Sequence, residues 1–136
     1  MPDGRQLARI HRVRTLQLTL ARAEEARAHA QLATETQLSQ RIAQLARDVA
    51  PQSGGAVTLG AAAHYRERLT RSAQTAAHRV QGAEAELARA AEGARAAKRD
   101  QSAVEKLLER AELDALRREM KRLEDAPGRP KRHDPC

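Results

Sequence analysis

From Leu69 onward, one set of residues recurs at alternating spacings of four and three: Leu69, Ala73, Ala76, Val80, Ala83, Leu87, Ala90, Ala94, Ala97, Gln101, Val104, Leu108, Ala111 and Ala115. That rhythm is the seam of a coiled-coil helix, and neither a strand nor a disordered chain has reason to keep it. Composition points the same way. Of 136 residues 29 are Ala, only 22 are Leu, Ile or Val, Phe and Trp are absent, and Tyr65 is the sole aromatic. A sandwich, barrel or α/β fold needs larger side chains than these to fill its core. The fold class expected is all-α: a long antiparallel two-helix coiled-coil hairpin with a C-terminal helical overhang and a disordered tail.

The partner helix lies earlier in the chain. Residues 5–49 contain neither Pro nor Gly and are rich in helix formers. Large apolar residues recur at Leu7, Ile10, Val13, Leu16 and Leu20, and again at Leu38, Ile42, Leu45 and Val49. The two sets are out of register, so the spacing predicts one helix with a stutter, its stripe carried between them by Ala23, Ala26, Ala30 and Ala33. Pro51, Gly54 and Gly55 break the pattern within 50–58, and Thr58 is the expected N-cap of the second helix. The organisation expected is a disordered start at 1–4, a single hairpin over 5–125 (helix 5–49, loop 50–58, helix 59–125) and a disordered basic tail at 126–136.

Folding the chain about residue 54 puts position i opposite position 108 − i, with Leu7 near Gln101. Everything after about Val104 then overhangs helix 1, by about 20 residues or ~30 Å. Much of the large apolar content of helix 2 lies there: Leu107, Leu108, Leu113, Leu116, Met120 and Leu123. Unburied apolar surface of that kind marks a protein contact. The first helix opens with Arg5, Arg9, Arg12 and Arg14 and no acid before Glu24, so the open end is expected to be a basic collar facing Arg95, Lys98 and Arg99. Gln101 is read as a register-setting polar residue.

No catalytic or ligand constellation emerges. Gly54-Gly55 lacks the Lys and Ser/Thr of a phosphate loop. The carboxylates alternate with Arg and Lys on helix faces, as with Glu119 and Arg122. His11, His29, His64, His78 and His133 form no i, i+4 pair, and His133 with Cys136 is half of a metal site at most. The expectation is therefore no catalytic, cofactor or metal residue, no cofactor, no small-molecule substrate and no enzyme. With a single cysteine, Cys136, no disulfide forms within the chain, and no stretch is apolar enough for a membrane span or signal peptide. A net charge of +7 permits phosphate binding, but aromatic stacking residues and a reading module are missing, so nucleic acid is disfavoured.

Two stretches carry a family resemblance. In RAAKRDQSAVEKLLERAELDA (Arg95–Ala115), a basic run at Lys98 and Arg99 precedes Glu105-Lys106-Leu107-Leu108-Glu109-Arg110. This resembles the C-terminal helix of the FliJ family of flagellar export proteins. The opening RQLARIHRVRTLQLTLARAEEARA is similar to the family's N-terminal helix, and Tyr65 with Leu69 fits a tyrosine found shortly after its loop. The layout matches across roughly 5–125. FliJ-like proteins and their YscO-type relatives in injectisomes are cytoplasmic, non-enzymatic components of type III secretion, resembling the central stalk of rotary ATPases.

The resemblance implies three partners: the hexameric flagellar export ATPase, the export gate membrane protein, and export chaperones. It implies an ATPase-facing set of Arg5, Ile10, Arg12, Val13, Arg99, Glu105, Leu107, Leu108 and Arg110, and a gate-facing set of His64, Tyr65 and Arg68. The location implied is cytoplasmic, at the base of the export apparatus. Two alternatives stay open: a basic coiled-coil protein that binds nucleic acid, and a structural dimer in which the overhangs pair.

Overall fold

The structure is a computed structural model that describes residues 3–48 and 56–128, with backbone only at 56–58. It holds two α-helices packed against each other as a hairpin, α1 (Gly4–Asp48) and α2 (Ala56–Asp125). The fold divides into two compact units. A terminal unit joins α1 up to Gln17 with α2 from Lys98 onward, and a middle unit comprises Leu18–Ala97.

The seam expected on α2 is present. Ala76, Ala83, Ala94, Gln101 and Val104 are buried, and every other member from Leu69 to Ala111 is half-buried. The seam ends there, because Ala115 is exposed.

On α1 the inner face differs from the expected stripe. Leu7 and Leu18 are buried, and Ala21, Ala28, Leu32, Ile42 and Ala46 are half-buried. His11, Arg14, Glu25, Glu35 and Ser39 fill the remaining positions, also half-buried. Together these twelve residues keep an unbroken four–three alternation, so α1 has no stutter. Ile10, Val13, Leu16, Leu20, Leu38 and Leu45 lie exposed on other faces, as do Ala23, Ala26, Ala30 and Ala33. The physical reason is that α2 offers a heptad seam, and a straight heptad stripe on α1 is the face that stays against it over many turns. Keeping that face matters more than burying the largest side chains.

The register also differs, by one heptad. His11 meets Glu105, Arg14 meets Asp100 and Thr15 meets Gln101. Position i therefore lies opposite 115 − i to within a residue, not 108 − i. A slip of seven leaves both seams facing inward, so hydrophobic periodicity does not distinguish the two registers. The buried amide does. In the expected register Gln101 would face Leu7, whose side chain accepts no hydrogen bond. In the observed register it donates to Thr15 Oγ1 at 3.1 Å. The overhang consequently begins near Glu112 rather than after Val104, and Val104 is buried. The single-helix stretch to Asp125 is ~20 Å long.

Helix boundaries hold two further corrections. Asp3 and Gly4 are not part of a disordered start. Asp3 Oδ1 accepts the Gln6 N–H at 2.8 Å, and Gln6 Oε1 accepts the Asp3 N–H at 3.3 Å, a reciprocal capping box. Asp3→Ala should remove about 1 kcal/mol and fray the first turn, read as faster amide exchange at residues 4–8 with the rest of α1 unchanged. Second, α2 starts at Ala56, so Thr58 sits inside its first turn instead of capping it. The expected loop and tail fall mostly on residues 49–55 and 129–136, outside the described residues. Ala126–Gly128 are non-helical.

Packing is thin. No described side chain is below 2% exposure. Two charged groups add a cost, since Glu35 Oε2 and Arg66 Nε are buried without a hydrogen bond. No described helix is long and apolar enough to cross a membrane.

Candidate partner-binding face

The terminal unit gathers the candidate residues. Its centre is a small polar network inside the seam. Lys98 Nζ donates to Gln101 Oε1 at 3.0 Å, Gln101 Nε2 donates to Thr15 Oγ1, and Thr15 Oγ1 donates to the His11 carbonyl at 2.9 Å. His11 Nε2 lies 3.2 Å from Glu105 Oε1, and Arg14 Nη1 donates to Asp100 Oδ2 at 3.3 Å. Gln101 is buried at 8% exposure and makes its hydrogen bond across the seam. Each partner satisfies the next, so the layer holds the two helices at one relative position.

Outward from that layer, toward the start of α1, the packing becomes apolar. Leu7 is 5% exposed. It lines a groove of about 1130 Å³ with Asp3, Leu107, Leu108, Ala111 and Arg118. The groove exists because α1 starts at Gly4 while α2 continues, leaving Ala111 half-buried and Ala115 exposed.

The ATPase-facing set falls into three groups here. Arg5, Arg12, Arg99 and Arg110 are exposed. Ile10, Val13 and Leu107 are exposed apolar residues, while Leu108 is half-buried beside the groove. Glu105 is engaged with His11 rather than offered outward. All nine lie in one unit, although the chain separates them by most of its length. His64, Tyr65 and Arg68 lie exposed on α2 in the middle unit.

The basic collar is narrower than expected. Arg14 is paired with Asp100, and Arg95 donates to Glu92 at 3.1 Å. The heptad shift places Arg5 and Arg9 opposite Arg110 and Lys106 instead of the Arg95–Arg99 region. Beyond the groove, Leu113, Leu116, Met120 and Leu123 are 53–70% exposed. They are part of the overhang surface expected above to mark a protein contact, although the ATPase-facing set implied by the resemblance stops at Arg110. Among the described residues no group of three or more His, Cys, Asp or Glu is placed to hold a metal ion. His133 and Cys136 lie outside the described residues.

Comparison with family models, with curated proteins and with solved structures returns no match for this chain.

Proposed function

We propose that this chain is a non-enzymatic stalk or adaptor of a flagellar, type III protein export apparatus. In this reading the terminal unit inserts into the hexameric export ATPase and stimulates it, and the start of α2 around His64, Tyr65 and Arg68 meets the export gate. Export chaperones are further partners, and the protein works in the cytoplasm at the base of the apparatus. The residues of hydrolysis belong to the ATPase.

One observation carries the reading. Arg5, Ile10, Arg12 and Val13 from α1 share a compact unit with Arg99, Leu107, Leu108 and Arg110 from α2. They are the residues on which the FliJ resemblance rests an ATPase contact. The unit mixes exposed arginines with exposed apolar side chains, the pairing found at the centres of protein interfaces.

The test is hydrolysis by the purified export ATPase with and without this protein. Leu107 and Arg110 are exposed, so Leu107→Ala with Arg110→Glu should leave the hairpin's helicity intact. The double variant should cut the stimulation by roughly tenfold, the effect of losing one or two interface anchors. Undiminished stimulation would remove these residues from the contact. No stimulation by the native chain would leave the nucleic-acid reading, which salt tests directly because phosphate binding weakens steeply as salt rises.

A further inference from the structure

In the terminal unit, the side of α1 that points away from α2 is cationic and partly apolar. At about 100° per residue, Arg5, Arg9, Arg12, Val13 and Leu16 all lie within about 55° of the line directly opposite the seam residues Leu7, His11 and Arg14. All five are exposed, Val13 at 49% and Leu16 at 64%. From Gly4 to Ala23 the helix holds no acid. Arg14 turns inward to Asp100, but Arg5, Arg9 and Arg12 have no hydrogen-bond or ion-pair partner among the described residues. The acids of this unit do not cancel that charge at the outer surface. Asp3 lies nearer the seam, where it caps the first turn. The others stand on α2, whose axis runs about 8–10 Å behind α1, and Glu105 and Asp100 are already engaged with His11 and Arg14. The outward turns of a coiled-coil helix ordinarily mix both charges. Here apolar side chains stand where the acids would be.

We propose that this face docks on an anionic lipid bilayer. The start of α1 lies along the surface, Val13 and Leu16 enter the headgroup boundary, and the three guanidinium groups sit on lipid phosphates. Charge sets the class of occupant, because these turns offer cations and no anion. The apolar side chains narrow it. A nucleic-acid backbone would hold the arginines and leave Val13 and Leu16 against phosphate and water, whereas a bilayer takes both. Arginine suits that depth, since its apolar stem lies beside the valine and leucine while its head stays at phosphate level. The face is convex and none of the five residues lines the Leu7 groove, which suits a partner that needs no matching shape. With two inserted side chains and three cations the attachment is weak and reversible. The inference goes beyond the stalk reading. Arg5, Arg12 and Val13 also belong to the proposed ATPase contact, so bilayer and ATPase exclude each other on this face.

Co-sedimentation of the full chain with vesicles tests it, with no ATPase present, so that failure here leaves the stalk reading standing. Vesicles of equal parts phosphatidylglycerol and phosphatidylcholine should carry the chain down at about 0.1 M salt, and vesicles of phosphatidylcholine alone should leave it in solution. Arg5→Gln with Arg9→Gln and Arg12→Gln should weaken partitioning by roughly a hundredfold, about fivefold for each lost charge. Val13→Gln with Leu16→Gln should weaken it by about tenfold or more at unchanged net charge. Arg117→Gln with Lys121→Gln and Arg122→Gln removes the same charge from α2 and should cost less than about fivefold. All these positions are exposed, so helical circular dichroism should not change in any variant. No binding to the anionic vesicles, or an equal loss from the α2 triple variant, overturns the face. Binding that needs the arginines and is indifferent to Val13 and Leu16 overturns the bilayer as its occupant and assigns the face to a phosphate polymer, read with duplex DNA in place of the vesicles.

Discussion

Leu18→Ala lowers the thermal midpoint of the hairpin by roughly 10 °C, while Leu20→Ala leaves it where it is. Leu18 is 4% exposed and Leu20 is 63% exposed, two positions apart on the same helix. Truncating a buried leucine costs about 2–3 kcal/mol. In this chain that loss is large, because the buried apolar set of the described residues is only Leu7, Leu18, Ala76, Ala83, Ala94 and Val104. Alanine contributes little area per residue, so Leu7 and Leu18 supply a disproportionate share of what leaves water. The pair of variants also separates the two possible inner faces of α1. A stutter stripe through Leu16 and Leu20 makes Leu20→Ala the damaging change. The observed face makes it Leu18→Ala. Melting curves followed by helical circular dichroism for the two proteins decide.

The second large effect has the opposite sign. Gly60, Gly82 and Gly93 lie inside α2, and a Cβ added at any of them meets nothing within 4 Å. None has a positive φ. Each glycine costs about 1 kcal/mol relative to alanine in a helix interior, largely through the freedom of the unfolded chain. The three sites are far enough apart for the gains to add. Replacing all three by Ala should therefore stabilise the hairpin by about 2–3 kcal/mol, read as a higher urea midpoint at unchanged slope. A midpoint that does not rise would mean that α2 does not persist as helix through these positions.

The two helices differ in how plainly their sequences declare them. On α2 apolar residues and the buried face coincide, so the heptad spacing marks the seam from Leu69 to Ala111 directly. On α1 they do not coincide. His11, Arg14, Glu25, Glu35 and Ser39 occupy inner positions, while Ile10, Val13, Leu16, Leu20, Leu38 and Leu45 sit outside. A search that follows hydrophobicity traces the wrong stripe there and needs a stutter to join its pieces. The straight alternative through Leu18, Ala21, Ala28, Leu32, Ile42 and Ala46 is visible only once a heptad partner is assumed. Register is hidden for a different reason, because heptads repeat and a slip of seven costs the pattern nothing. Hydrogen-bonding need breaks that degeneracy, and Thr15 is the only hydroxyl residue of α1 within a turn of where Gln101 arrives. The capping box of Asp3 and Gln6 is legible as an acid followed three residues later by Gln. The grouping of the candidate face is legible from the hairpin topology, although its extent moves with the register.

The unpaired end of α2 has a thermodynamic consequence for anything that binds it. From about Glu112 to Asp125 the helix has no neighbouring helix among the described residues of its own chain. It is held by propagation from the paired turns behind it and by side-chain pairs such as Glu119 with Arg122. Propagation alone is close to neutral per residue, so this stretch exchanges between helix and coil from its free tip inward. A binder that requires the helix must bear the entropy of completing it. Affinity is then set partly at positions that touch nothing. Substituting better or worse helix formers on its solvent side tunes binding strength without altering the contact, which makes the end of α2 an adjustable coupling between local order and association.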